Sequence, residues 1–400
     1  MQTIKTAQVD FYNTKLAFSD QSNNALYEAY QLFKIMNNKR LVEIGEKLVN
    51  IAFAIKLPIK PIIRNTIYKH FVGGTSITDC GKTIERLAKR NVGSILDYAL
   101  EGEESEELFE ATCREIIRTI EYANKSKNVP FSAFKITGIA SLDLLTKVCS
   151  NSPLTVNESK RFRAVEDRVE AIFKRGYELG VPVLIDSEQT WIQPILDDIV
   201  LKEMVKFNKE KAIVQNTYQM YRHDALERLK KHHRLSIENG FKFGLKIVRG
   251  AYMETERERA NELGYPSPIQ PNKAATDRDF DDSIIYMIEN HNTIDFMVAT
   301  HNEHSSMLLT QLIDENGIDR NYPGIYFSQL YGMSDHITYN LAENGYNVVK
   351  YLPYGEIKTM MPYLFRRARE NSSIKGQTSR ELQLIKSERN RRKKEKQGSK

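Results

Sequence analysis

Four hundred residues with 41% hydrophobic and 28% charged side chains are too apolar for a disordered chain and enough for one large domain or two ordinary ones. Twenty glycines and 12 prolines exclude collagen-like and low-complexity classes, and no stretch approaches the roughly 18 consecutive apolar residues of a membrane-spanning helix. The net charge of +6 is carried entirely from Lys386 onward, so the body is electrically balanced and is not built around a phosphate-tracking face; no nucleic-acid partner is expected.

Residues 1–90 read as a helical N-terminal arm. Asn23-Asn24 precedes ALYEAYQLFKIM, where Leu26, Tyr30, Leu32, Phe33 and Met36 approximate one apolar face. LVEIGEKLVNIAFAI repeats the pattern from Leu41 to Ile55 and stops before Pro58 and Pro61. Gly73-Gly74 make a break, and Ser76 with Asp79 begins a helix running toward Arg90.

From Val92 short apolar runs alternate with longer amphipathic stretches such as 161–180 and 306–317. The runs are GSILDY (93–98), FSAFKI (131–136), PVLID (182–186), AIVQNTY (212–218), GLKIVRG (244–250), IDFMVAT (294–300), GIYFSQL (324–330) and NVVKYL (347–352). Nearly continuous apolar runs suit parallel strands covered by helices. Eight strand–helix units in about 280 residues match a closed eight-fold barrel. An open doubly wound sheet uses the same alternation, so the count leaves both architectures open.

Polar residues embedded in these runs are more telling. Lys135 closes the second run, Asp186 the third, and Gln215 lies within the fourth. Lys246 and Arg249 lie in the fifth, Thr300-His301-Asn302 follow the sixth, and Tyr351 is in the eighth. Burying such groups costs several kcal/mol unless they find partners, and barrel function concentrates at the carboxyl ends of strands.

In the last helical stretch, TMMPYLFRRARENSS (359–373), Arg366 and Arg367 are adjacent, with Glu370 four and three residues on. Such spacing permits ion pairs along a helix, and arginine's planar fork meets a carboxylate through two hydrogen bonds.

These residues resemble the proline dehydrogenase (proline oxidase) flavoenzymes, in the single-function form. The resemblance runs from about residue 70 to 375 and is densest in VRGAY (248–252), ATHN (299–302), QLYGM (329–333), YLPYG (351–355) and YLFRRARENSS (363–373). It implies a distorted (β/α)8 TIM-type barrel over 91–375 that binds FAD and oxidises L-proline at C5 to Δ1-pyrroline-5-carboxylate. Electrons would pass to a quinone-type acceptor, and the product to a separate pyrroline-5-carboxylate dehydrogenase. Carried over by motif position, Arg366 and Arg367 would hold the proline carboxylate, with Lys135 and Glu370 beside them. Tyr252, Leu330 and Tyr351 would wall the ring, and Asp186 would support the site. Gln215, Lys246, Val248, Arg249, Gly250, Ala251, Thr300, His301 and Asn302 would lie along the flavin. Some members carry arginine at the position of Lys246, so that contact is expected to differ here.

Cys80, Cys113 and Cys149 show neither metal-ligand spacing nor a disulfide framework, so no metal is expected and a reducing compartment, by default the cytoplasm, is the simple reading. Residues 376–400 read as a basic disordered tail, with contact to an anionic membrane as its functional alternative. Two competing readings stand: a hydroxyproline or other cyclic secondary amine dehydrogenase on the same scaffold, and a catalytically silent barrel acting as a binding protein.

Overall fold

In the computed structural model, which describes residues 9–98, 104–373 and 377–398, eight parallel strands close into a barrel in sequence order. They are β1 (Val92–Tyr98), β2 (Phe131–Lys135), β3 (Val183–Asp186), β4 (Val214–Gln219), β5 (Phe243–Val248), β6 (Ile294–Ala299), β7 (Ile325–Leu330) and β8 (Val348–Tyr354). Each overlaps one of the eight apolar runs, and the β1–β8 pairing, Val92 opposite Val348 through Tyr98 opposite Tyr354, decides for closure over an open sheet.

Alternation along each strand sorts the side chains. One set, including Leu96, Phe134, Ile185, Leu245, Phe296 and Phe327, packs outward under the surrounding helices. The other, including Ile95, Ala133, Leu184, Met297, Val349 and Tyr351, fills the barrel interior. Successive side chains point to opposite faces of a strand, so Asp97, Lys135 and Asp186 share the inward set at the carboxyl ends of their strands. The site therefore opens on that face.

The N-terminal arm is helical among its described residues. The Asn23–Met36 helix is capped by Ser22, whose Oγ accepts from the Ala25 N–H at 3.1 Å, and the Lys39–Ala54 helix by Asn38. Leu26, Phe33, Met36, Val42 and Phe71 of the arm form one core with Met360 and Leu364 and with Leu384 and Ile385. The arm thus packs directly on the helix that carries the paired arginines, Met361–Ser373.

The basic end departs from expectation. Instead of a disordered tail, Gln377–Gly398 is a helix lying against the arm. Glu388 is fully buried, accepting from Arg391 Nε and Arg392 Nε at 2.7 Å and from Thr14 Oγ1 at 3.1 Å. Net charge conceals both that ladder and the apolar pair Leu384–Ile385, which together give the segment something to bury.

Candidate active site

The interior beneath the mouth holds a charged triad. Lys246 Nζ pairs with Asp186 Oδ1 and donates to the Tyr351 hydroxyl at 2.6 Å, and that hydroxyl donates to the same Asp186 oxygen at 3.0 Å. The ammonium also lies 4.3 Å from the Tyr351 ring centroid. Lys246 lies mid-strand and Tyr351 one register below Leu352, so β3, β5 and β8 are tied across the barrel. Burial, reinforced by the charge of Asp186, raises the Tyr351 pKa well above its ordinary value and keeps it a phenol.

Above the triad, residues following β2, β3 and β5 converge. Glu188, buried two residues beyond β3, accepts from the Thr137 N–H at 3.0 Å and from its hydroxyl at 2.7 Å. Burial raises its pKa, against the pull of Lys135. Tyr252 is pushed up to about 12 by burial, eased by Lys135, raised by Glu188 and eased again by Arg366. One phenol therefore feels β2, the β3 loop and the last barrel helix together.

Gly250 follows β5 with φ of +132°, and a Cβ there would lie 2.4 Å from the Tyr221 ring. Only glycine suits that conformation. Arg249 is fixed on the opposite side: Nε donates to Asp277 at 2.8 Å, Nη1 to Thr300 Oγ1 at 2.7 Å and Nη2 to Ser305 Oγ at 3.0 Å. Thr300 also accepts from the Asn302 N–H at 3.1 Å, while Asn302 caps the Glu303–Glu315 helix through Ser305 N–H. The motif after β6 is thus one hydrogen-bonded unit with Arg249. Gln329 completes it from β7, donating to the Thr300 carbonyl at 3.2 Å and accepting from Thr338 at 2.8 Å.

His301 bonds through Nδ1 to Ser334 Oγ at 2.9 Å. Burial, with the charges of Lys350 and Arg367 adding to it, pushes its pKa down to about 3, so the imidazole is neutral at physiological pH.

On the Met361–Ser373 helix, Tyr363, Arg366, Arg367 and Glu370 share one face. Arg367, 8% exposed, donates to Glu370 at 2.6 Å, and both guanidinium groups approach the Tyr363 ring, at 5.4 Å for Arg367 and 6.0 Å for Arg366. The Tyr363 hydroxyl is buried and, among the described residues, meets no hydrogen-bond partner. A buried orphan hydroxyl on a ring that two guanidinium groups approach marks a place where a polar ligand group would be satisfied.

Most residues singled out in the sequence therefore meet at one mouth: Lys135, Asp186, Val248 to Tyr252, Thr300 to Asn302, Leu330, Tyr351, Arg366, Arg367 and Glu370. Two expectations change. Gln215 stands at the start of β4 and lines a cavity with Pro130, Pro182, Asp295 and Pro323 at the opposite, amino-terminal end of the barrel, so its place along a mouth-bound cofactor is corrected. Gln219 points the same way about 13 Å further along the strand, donating to the Glu188 carbonyl at 2.7 Å. Lys246 is held by Asp186 and Tyr351 inside the barrel. Sequence reasoning missed Glu188, Gln219 and Tyr363; the last stands three and four residues before the arginines, a spacing that shares a helix face.

A sequence profile described as proline dehydrogenase matches residues 80–380. The chain belongs to the proline dehydrogenase family. Proline dehydrogenase 1, mitochondrial, of Dictyostelium discoideum is 32% identical over 96% of this chain and 75% of its own length. The human proline dehydrogenase 1, mitochondrial, is 39% identical over 58% of this chain and 40% of its own. Among solved structures, proline utilization A from Bdellovibrio bacteriovorus, inactivated by N-propargylglycine, superposes with a TM-score of 0.72, covering 95% of this chain and 42% of that one at 19% identity. At that identity the likeness bears on the fold alone, and it agrees with the closed barrel. Proline oxidation is the activity of the proline dehydrogenase family.

Proposed function

We propose that this chain is an FAD-dependent L-proline dehydrogenase yielding Δ1-pyrroline-5-carboxylate. The observation that carries the reading is the placement of Arg366 and Arg367 beside the orphan Tyr363 hydroxyl, within electrostatic reach of Tyr252 after β5 and His301 after β6. Two guanidinium groups and a free hydroxyl suit a fixed carboxylate. Holding that anion positions the ring's C5, and orientation of this kind contributes about 7–11 kcal/mol in intramolecular reactions.

The residues present fit the cofactor on one structural ground. Gly250 and Ala251 form an exposed stretch with no side chain of its own beyond Cβ, packed on the Tyr221 ring and bordered by Arg249, Thr300 and a neutral His301, where a flat ring system can approach the backbone. When bound, FAD supplies a two-electron acceptor for the hydride leaving C5. As the hydride departs, the ring nitrogen's lone pair forms the C=N bond, so the amine enters as the neutral base. Leu330, Tyr252 and Tyr351 shape an apolar wall for the ring. Tyr351 is pinned by Lys246 and Asp186 and cannot swing aside, which favours proline over its 4-hydroxy derivative.

Electrons then pass to a quinone-type acceptor and the product to a separate pyrroline-5-carboxylate dehydrogenase. A reducing compartment suits the three free cysteines, Cys80, Cys113 and Cys149; the cytoplasm is our assignment, and organelle fractionation of the source organism tests it against the mitochondrial placement in the relatives' names.

The decisive experiment is anaerobic titration of the purified yellow protein with L-proline and with 4-hydroxyproline, followed by Arg366→Met and Arg367→Met. Bleaching by L-proline is expected, with KM raised at least about tenfold in each variant. A colourless protein that takes up no added FAD would overturn the cofactor, unchanged KM in both variants the carboxylate clamp, and equal kcat/KM for the two imino acids the selectivity.

A further inference from the structure

The amino-terminal end of the barrel holds a cavity of about 230 Å³ that the reaction proposed above does not use. Two glycines make room for its polar walls. Gln215, Gly244 and Asp295 stand opposite one another across β4, β5 and β6, and Gly324 immediately precedes β7. A Cβ on Gly324 would lie 2.6 Å from Asp295 Oδ1, and one on Gly244 2.7 Å from Gln215 Cγ. The missing side chains leave the space in which the carboxylate and the amide sit. Asp295 alternates with Met297, which fills the barrel interior, so its side chain belongs to the inward set.

The lining offers acceptors and carries no base. Among the described residues the Asp295 carboxylate makes no hydrogen bond or ion pair. Burial raises its pKa, against the pull of Lys242, whose ammonium donates instead to the Asn292 carbonyl at 3.1 Å. Gln215 donates to the Ala212 carbonyl at 3.1 Å, which leaves its amide oxygen as a second acceptor. The other walls are apolar: Phe131 and Tyr326 meet edge to face, ring centroids 4.8 Å apart, beside three prolines. A desolvated carboxylate is costly without a cation, and aromatic faces attract one. One carboxylate is too few for a metal ion, which gathers several oxygens. A zwitterionic amino acid would bring its own carboxylate to a lining without lysine, arginine or histidine. An ammonium group on a short apolar stem meets every wall.

We infer that the amino-terminal end of the barrel is a second binding site, for a small alkylammonium ion that carries no carboxylate. The inference is independent of the reaction proposed above. Lys246 is the next inward residue after Gly244 on β5, so the triad of Lys246, Asp186 and Tyr351 stands between this site and the mouth. Occupancy here does not compete with L-proline.

The test is isothermal titration calorimetry of the full, cofactor-saturated chain with n-butylammonium chloride as the probe. One-site binding that saturates by about 10 mM is expected. Asp295→Asn is expected to weaken it at least about tenfold. The neutral 1-butanol and the zwitterionic 4-aminobutyrate are expected to bind at least about tenfold more weakly than the probe. Thermal unfolding, with kcat/KM for L-proline within about twofold of the parent, establishes that Asp295→Asn is folded. A second variant, Tyr326→Leu, keeps the carboxylate and removes an aromatic wall, and is expected to weaken binding at least about threefold. Failure to saturate, parental affinity in either variant, or equal affinity for 4-aminobutyrate would each overturn the inference. So would inhibition by n-butylammonium that is competitive with L-proline and unchanged in Asp295→Asn.

Discussion

Replacing Lys246 with methionine keeps the length of the side chain and removes its charge. Lys246 is 4% exposed and Asp186 18%, and the Asp186 carboxylate holds both the ammonium and the Tyr351 hydroxyl. Breaking a buried ion pair from one side costs about 3–5 kcal/mol because the remaining charge is stranded. Asp186 would keep the Tyr351 hydrogen bond and some solvent, which places the expected loss near the lower end, about 3 kcal/mol. Removing both charges in Lys246→Met/Asp186→Leu leaves no stranded ion, so the double variant should recover about 2 kcal/mol of that loss. Urea unfolding of the cofactor-saturated protein, followed by the emission of its single tryptophan, Trp191, in the loop after β3, gives the comparison. A single variant within about 1 kcal/mol of the parent, or a double variant no better than the single, would refute the view that the triad is an electrostatically coupled unit.

Gly250→Ala places a Cβ against the Tyr221 ring in a conformation disfavoured for L-residues; strain and overpacking together predict a loss of about 2–5 kcal/mol and release of flavin on gel filtration, whereas parental stability would contradict the geometry. His301 titrates near 3 in the folded protein and near 6.5 unfolded, so acid favours unfolding from about pH 6.5 down to 3. His301→Asn should flatten the stability–pH slope in that window. Burial works against the charge of Glu303, but hydrogen bonds from His336 and Arg380 hold it down to about 2. Its contribution is present above pH 4.5 and is lost as the pH falls toward 2, a loss that Glu303→Gln should abolish. Gln219→Ala is expected to lower kcat/KM at least about tenfold by releasing the Glu188 carbonyl, and Gln215→Ala to change it less than about twofold, as steady-state assays of both will show.

The barrel strands were legible because parallel strands buried on both faces leave uninterrupted apolar runs, and the closing order follows once consecutive strands pair. Strand-end residues were legible for a related reason: Lys135 and Asp186 interrupt apolar sequence where a scaffold has no use for charge. What failed was depth along a strand. Gln215 and Gln219 share an inward face, and only the strand's boundaries reveal which one reaches the mouth. Glu188 was hidden differently, lying two residues past β3 in a loop whose path sequence does not show. The basic end was misread because net charge sums over a segment, whereas Glu388 pairs locally with both Arg391 and Arg392 and lets the helix pack.

That helix also shows why boundaries drawn from composition cut through the functional unit. Its consecutive residues Arg380 and Glu381 hold two different barrel loops. Arg380 Nε donates to Glu303, after β6, at 2.7 Å, and Glu381 accepts from the Ser334 N–H, after β7, at 2.6 Å. Ser334 is itself in a left-handed conformation, with φ of +54°, and its hydroxyl meets His301. A non-glycine residue in that region is retained where surrounding contacts over-determine it, and Glu381 supplies one such contact from 47 residues away. Further along the same helix, Arg392 donates to the carbonyls of Phe18 and Gln21 in the arm. The chain's two ends therefore brace each other while one of them orients the neutral histidine at the mouth. The basic segment belongs to the frame of the site through Arg380, Arg391 and Arg392, while Lys386, Lys393, Lys394 and Lys396 stay exposed.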